Sequence, residues 1–290
     1  MYNALTAKRL NGDLDMIRVG RLPHNTRGRD IVIGDLHGNK DLLIQLLEKV
    51  DFDPTRDRVI STGDLPDRGP DSIGCLELLF EPWFHAVLGN HDQHLLELIE
   101  KAINAETNNA VRIKIIDAIR TFVSDGGMGC QWFPEWLSTR LDWAPLEAIG
   151  EALARLPHIL VVGEGSDRYN VVHADLVSAG LASDARIDSA HGMEDDRAMQ
   201  SLMWSRRLVN AALALENYYR GAPSTEVRND LSPTFCGHTV VPRVMSLRQH
   251  TFIDTGCGLG IPVWTGLTGI CAADREEYFV PSRERDKVAA

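Results

Sequence analysis

Short apolar runs that end in glycine and then in charge recur through the first third of the chain. Arg58-Val59-Ile60-Ser61-Thr62 is dominated by β-branched residues and closed by a glycine, the pattern of a short buried strand. It runs into Gly63-Asp64-Leu65-Pro66-Asp67-Arg68-Gly69-Pro70-Asp71, which holds three carboxylates, one guanidinium and two glycines. Asp30-Ile31-Val32-Ile33 leads in the same way into Gly34-Asp35-Leu36-His37-Gly38-Asn39, and Phe84-His85-Ala86-Val87-Leu88 into Gly89-Asn90-His91-Asp92. A segment of helical periodicity follows each loop: 40–50, with Asn39 as N-cap and Asp41 in the first turn; 72–80, capped by Asp71; and 93–104. Three successive strand–helix units predict a largely parallel sheet whose right-handed crossovers bring the three charged loops to one edge.

The remaining pattern is less regular. Residues 1–28 show no clean period and are expected to form an irregular lead-in over the surface. Helical periodicity over 111–123 and 146–156, broken at Gly126-Gly127-Met128-Gly129, predicts a helical insert over about 105–157. Its Trp132, Phe133, Trp136 and Trp143 suit core or cap packing better than a base-stacking platform. Strands are expected at 158–162 and at 169–172, the second ending in His173-Ala174-Asp175. A polar, mobile stretch should occupy 183–196, with Leu202-Met203-Trp204-Ser205-Arg206-Arg207 and a helix to Tyr219 after it. The β-rich last part passes through Gly237-His238-Thr239 and Asp254-Thr255-Gly256, and its short connections predict antiparallel pairing. One domain spanning 1–290 is expected, with its core over about 30–280 and a frayed tail at 282–290.

Composition narrows the classes of function. Of 290 residues, 44% are hydrophobic and 24% charged, as in ordinary globular chains, and the formal net charge of −11 disfavours nucleic-acid or anionic-membrane partners. Neither a signal-peptide core nor a membrane-length apolar run is apparent, so a cytoplasmic location is expected. Five widely spaced cysteines without a C-x-x-C pair suggest buried small hydrophobes and neither a disulfide framework nor a cysteine zinc site.

Candidate chemistry concentrates at the strand ends. Asp35, His37, Asp64, Asn90, His173 and His238 offer imidazole, carboxylate and amide donors without thiolate, a set that suits Mn, Fe or Zn. A carboxylate such as Asp64 can bridge two ions. Two divalent ions about 3.5–4 Å apart would hold a bridging hydroxide as nucleophile and clamp a phosphoryl group. Arg68 carries a planar fork suited to phosphate oxygens, His91 is placed to protonate the departing oxygen, and Asp67 to orient that imidazole. Asp175 and Asp254 either orient ligands or form turns. His24, His85, His94, His158, His191 and His250 have no motif context.

Gly34-Asp35-Leu36-His37-Gly38, Gly63-Asp64-Leu65-Pro66-Asp67-Arg68-Gly69 and Gly89-Asn90-His91-Asp92 resemble the GDxHG, GDxVDRG and GNHE/D signatures of the phosphoprotein phosphatase family of metallophosphoesterases. His173-Ala174 and Gly237-His238-Thr239 resemble its two later histidine motifs, and Trp204-Ser205-Arg206 is similar to the W-N-R of small bacterial and bacteriophage lambda-type serine/threonine phosphatases. The resemblance implies an α/β fold, a calcineurin-like β-sandwich of two mixed sheets flanked by helices. It further implies Asp35, His37 and Asp64 on one metal, Asp64, Asn90, His173 and His238 on the other, Arg68 and Arg206 on phosphate, and Mn²⁺ as the expected cation. Pro66, Ser205 and Asp92 depart from the usual Val, Asn and Glu.

A phosphorylated protein or peptide is therefore the expected substrate, at phosphoserine or phosphothreonine and with phosphotyrosine tolerated. The alternative is a symmetrical diadenosine tetraphosphate hydrolase, a related family that Gly89-Asn90-His91-Asp92-Gln93-His94-Leu95-Leu96 and Asp254-Thr255-Gly256-Cys257 resemble but that usually carries Ala at the position of Asp67. A scaffold that has lost catalysis is disfavoured by the intact His91, Arg68 and six candidate ligands.

Overall fold

Two sheets lie face to face. The computed structural model describes residues 15–104, 109–124, 129–139, 144–219, 230–259 and 265–282. Strands β1 (Val19–Leu22), β5 (Ile159–Val162), β6 (Tyr169–Val172), β7 (Thr234–Cys236), β8 (Met245–Leu247) and β9 (His250–Phe252) form one sheet in the order β1-β5-β6-β7-β9-β8. The other contains β2 (Asp30–Ile33), β3 (Arg58–Ser61), β4 (Phe84–Ala86), β10 (Gly266–Cys271) and β11 (Glu277–Pro281), in the order β11-β10-β2-β3-β4.

The short strands are apolar on both faces because each face meets a different layer. Val32, Ile60, Leu160, Val162, Val171, Phe235 and Ile270 pack between the sheets. Ile31, Ile33, Val59, Ile159 and Val161 point the other way and join a second core with the helices. Full burial of each such side chain is worth roughly 1.5–3 kcal/mol. The helices supplying that layer include α1 (Lys40–Lys49), α2 (Ser72–Glu77), α3 (Asn90–Asn104), α4 (Asn109–Ser124), α5 (Phe133–Ser138) and α6 (Ala144–Ala154). Helices α7 (Asp184–Ser189), α8 (Asp196–Trp204) and α9 (Arg207–Tyr219) occupy the β6–β7 crossover.

Parallel pairing places the chemistry. β2, β3 and β4 run parallel in one sheet, and β6, β7 and β9 run parallel in the other. The loops after β2, β3, β4, β6 and β7 carry the candidate residues, and the contacts below bring them to one end of the sandwich.

Three expectations are corrected. The lead-in is not irregular throughout: Val19–Leu22 forms an edge strand parallel to β5, a partner about 140 residues away that no local period reveals. The polar stretch 183–196 contains α7, anchored by fully buried Ile187 and by the Asp184 carboxylate accepting from Ser232 N–H (3.0 Å) and Oγ (2.6 Å). Pairing in the last part is antiparallel for β8–β9, for β10–β11 and for β10 against β2, but β7 and β9 are parallel because β8 returns the chain between them. All five cysteines are free and buried. Among the described residues no helix is long and apolar enough to cross a membrane. Trp143 and the tail from 283 onward lie outside the described residues.

Candidate active site

The loop after β3 is held from below by one carboxylate. Buried Asp92, in the first turn of α3, accepts the N–H groups of Asp64 (2.7 Å), Leu65 (3.0 Å) and Gly89 (2.9 Å), tying the β3 and β4 loops together. Helix α3 begins at Asn90, three residues before the pattern suggests, and the His91 N–H in its first turn donates to Asp64 Oδ1 at 2.9 Å. An anion is favoured at a helix start. The two loops approach so closely at Gly89 that a Cβ there would lie 2.2 Å from Asp64 Oδ1.

Around Asp64 the predicted ligands converge. His37 Nε2 lies 3.7 Å from its Oδ2 and His173 Nε2 3.5 Å from its Oδ1. Asn90 Oδ1 lies 2.8 Å from His173 Nε2 and 2.9 Å from His238 Nδ1. Ligand atoms of His37, Asp64 and His91 fall within 4.8 Å of one another, as do those of Asp64, His173 and His238, so Asp64 is common to both groups. Asp35 stands slightly apart: its Oδ1 is 4.0 Å from His173 Nδ1 and accepts from Thr62 Oγ1 (2.9 Å), and both its oxygens face the His238 N–H (3.1 and 3.0 Å).

The donor set fits cations. His173 Nδ1 donates to the Thr62 carbonyl at 2.7 Å, and His37 Nδ1 to that of Pro66 at 3.1 Å. A carbonyl only accepts, so the protons sit on Nδ1 and each Nε2 turns a lone pair toward Asp64 oxygens. Burial pushes His37 and His238 down to about 3 and lowers His173 as well, which keeps these imidazoles neutral and able to ligate. Burial and the charges of Asp254 and Asp64 raise Asp35. Burial also acts to raise Asp64, but any charge on the adjacent His173, His91 and His37, together with the His91 N–H bond, holds that carboxyl below its ordinary range. Lone pairs facing carboxylates leave a space for positive charge at the centre of the site.

His91 is set differently. Its Nδ1 meets Asp67 Oδ2 at 2.6 Å, and its Nε2 lies 3.5 Å from an Arg68 guanidinium nitrogen and 4.0 Å from Asp64 Oδ2. Burial would lower this imidazole, yet the Asp67 hydrogen bond and the charges of Asp64 and Asp67 raise it above the ordinary value. Arg68 and Arg206 are exposed at the rim, Arg206 donating to Thr239 Oγ1 at 3.2 Å. The charges of both lower Asp254, which burial raises to about 6.

Two contributions escaped the sequence reading. Asp92 as a staple between two loops has no local signal beyond its place in the third motif. Trp132, read as packing, donates its indole N–H to Asp67 Oδ1 at 2.7 Å, and only the glycine break before it marks the segment. Asp175 Oδ1 accepts from Ser178 N–H at 2.6 Å, a turn contact.

A family model described as calcineurin-like phosphoesterase matches residues 29–242. Serine/threonine-protein phosphatase 1 of Salmonella typhimurium is 31% identical over 79% of this chain and 87% of its own length. The symmetrical bis(5'-nucleosyl)-tetraphosphatase of Chromobacterium violaceum is 27% identical over 89% of this chain and 96% of its own. Among solved structures, a protein provisionally assigned as a diadenosine tetraphosphatase superposes with a TM-score of 0.56 at 23% identity, covering 92% of this chain and 99% of that one. That last likeness concerns the fold.

Proposed function

The chain belongs to the calcineurin-like phosphoesterase family, metal-dependent hydrolases of phosphate esters, and from that premise we propose that it is a phosphoprotein phosphatase acting on phosphoserine and phosphothreonine, with phosphotyrosine tolerated. The observation that carries this reading is the buried Asp67 carboxylate 2.6 Å from His91 Nδ1. A serine or threonine alkoxide is a poor leaving group, and expelling it calls for an acid whose proton is held in position. With Nδ1 engaged by Asp67, Nε2 is the nitrogen that faces the site.

Asp35, His37, Asp64, Asn90, His173 and His238 would hold two divalent cations, with Mn²⁺ the expected ion. Such a pair supplies Lewis-acid charge and makes water nucleophilic at neutral pH. Arg68 and Arg206 bind the phosphate oxygens and stabilise charge that grows on them in the transition state. His91 gives its Nε2 proton to the departing oxygen, and Asp67 stabilises the imidazolium before that transfer.

Beside Arg68 runs a groove of about 590 Å³ whose walls include Pro70, Ile73, Trp132 and Trp136, together with the carboxylates of Asp71 and Glu135. Indoles beside carboxylates favour an apolar or cationic peptide side chain next to the phosphoresidue and repel a polyphosphate chain. Symmetrical hydrolysis of diadenosine tetraphosphate is the second reading, favoured by the nearly full-length match to the C. violaceum relative. Mn²⁺-loaded protein assayed in parallel should give the higher kcat/KM on a phosphoserine peptide. Release of ADP from diadenosine tetraphosphate without peptide turnover would overturn the first reading.

A further inference from the structure

The helical insert reaches the acid–base pair through a short segment whose placement is specific. Asp67 Oδ1 accepts two N–H donors, both at 2.7 Å: the Cys130 backbone and the Trp132 indole. Its Oδ2 faces His91 Nδ1 at 2.6 Å, with the Cys130 thiol 3.9 Å away. Gly129 closes over the same contact. Its φ is +70°, and a Cβ there would stand 2.0 Å from Asp67 Oδ2 and 2.7 Å from His91 Nδ1. Asp67 itself sits at φ 80°, so its backbone lies in a left-handed conformation that does not fix the side chain through ordinary strand or helix geometry. The Trp132 ring is in turn held edge-on against Phe133 at 5.6 Å, and Phe133 stacks on Trp136 at 6.4 Å.

We propose that Trp132 is a positioning residue for catalysis: its indole N–H, with the Cys130 N–H, fixes the plane of the Asp67 carboxylate so that Oδ2 holds His91 with Nε2 aimed at the leaving oxygen. The insert is thereby a part of the acid apparatus and not only a wall of the cleft. The inference rests on His91 being the acid. In that step the bond between phosphorus and the leaving oxygen breaks, its electron pair stays on that oxygen, and the His91 Nε2 proton neutralises it. The attacking oxygen comes from water.

A positioning role for the acid has a signature that looser packing lacks. Protonation matters most for a poor leaving group and hardly at all for a good one, so loss of the tether should depend on the leaving group. Trp132→Phe keeps an aromatic ring and removes the donor. In the Mn²⁺-loaded full-length enzyme it should lower kcat about tenfold on phenyl phosphate and less than about threefold on 2,4-dinitrophenyl phosphate, with metal content unchanged. In an Asp67→Asn background, Trp132→Phe should have no further leaving-group-dependent effect, because the two act as a unit. Gly129→Ala, which displaces the pair from the other side, should show the same selectivity. A readout apart from turnover is the ¹H–¹⁵N resonance of the Trp132 indole, which should lie downfield and move upfield in Asp67→Asn.

Equal losses on both esters in Trp132→Phe, or additivity with Asp67→Asn, would overturn the positioning role while His91→Gln remained selective for the poor leaving group. If His91→Gln itself showed no leaving-group selectivity, the acid assignment would fall first.

Discussion

The two ends of the sandwich both bury carboxylates and treat them in opposite ways. At the end where β2 and β3 begin, Asp30 takes a two-pronged contact from Arg58 at 2.7 and 2.8 Å and a third from Tyr169 Oη at 2.7 Å. Asp57 is met by the Arg29 guanidinium at 2.7 Å and by the N–H groups of Arg29 and Asp53. At the other end Asp35, Asp64, Asp67, Asp92 and Asp254 are all 2% exposed or less. Among the described residues none of these five forms an ion pair with a lysine or arginine, although the Arg68 and Arg206 charges act on Asp254 from the rim. They face backbone N–H groups, an indole and imidazoles. Buried charge without a partner is costly, so a protein that tolerates it at one end only is arranged to receive positive charge there. The ion pairs at the first end are architecture; the excess of acid at the second is chemistry.

The largest effect should come from denying the second end its cations. Stripping divalent metal with a chelator, or introducing Asp64→Asn, should take phosphatase activity to background and release bound metal, as read by p-nitrophenyl phosphate turnover and elemental analysis. Returning Mn²⁺ to the stripped protein at about 100 times its Kd should restore about 2.7 kcal/mol of stability for each ion bound, seen as a higher Tm. Intact activity after chelation would break the comparison outright.

At the opposite end, Arg58→Met should leave the Asp30 carboxylate buried beside Tyr169 and cost about 3 kcal/mol in denaturant unfolding. The kcat/KM of the folded fraction should not change. A selective loss of turnover would mean that the two ends are not separate.

The last test distinguishes two kinds of buried imidazole. His158 is 2% exposed, and its Nδ1 accepts the Arg18 N–H at 3.0 Å, so its lone pair has a donor where those of His37 and His173 face carboxylates. Burial lowers it to about 3, against about 6.5 when unfolded. The unfolded chain therefore takes up this proton first. The stability contributed is complete above about pH 6.5, erodes as pH falls, and stops eroding below the folded value. His158→Asn, which keeps an acceptor for Arg18, should flatten the fall of Tm between about pH 6.5 and 4.

Much of the site was legible because its residues sit where short apolar strands stop, and strand ends are local events in sequence. Asp35, His37, Asp64, Asn90, His173 and His238 were found in that way, and the structure brings them together. What escaped depends on partners far along the chain. Strand β1 has four residues, includes a glycine, and makes sense only against β5. Asp92 acts through backbone N–H groups of two loops and Trp132 through the Asp67 carboxylate, and no spacing rule encodes a hydrogen bond between residues 67 and 132. Helix α7 was hidden by polar composition because a single buried Ile187 anchors it.

Five of the ten non-glycine residues at positive φ among the described residues are His37, Asp64, Asp67, Arg68 and His238, all in the candidate site. Left-handed backbone costs of order 1 kcal/mol or more at each such residue, and the surrounding core sustains it. A directed-evolution campaign that rewarded heat resistance alone would therefore find its easiest gains by putting glycine or asparagine at these positions. It would return hardier proteins that no longer hydrolyse anything, so selection on this scaffold has to score turnover and endurance together.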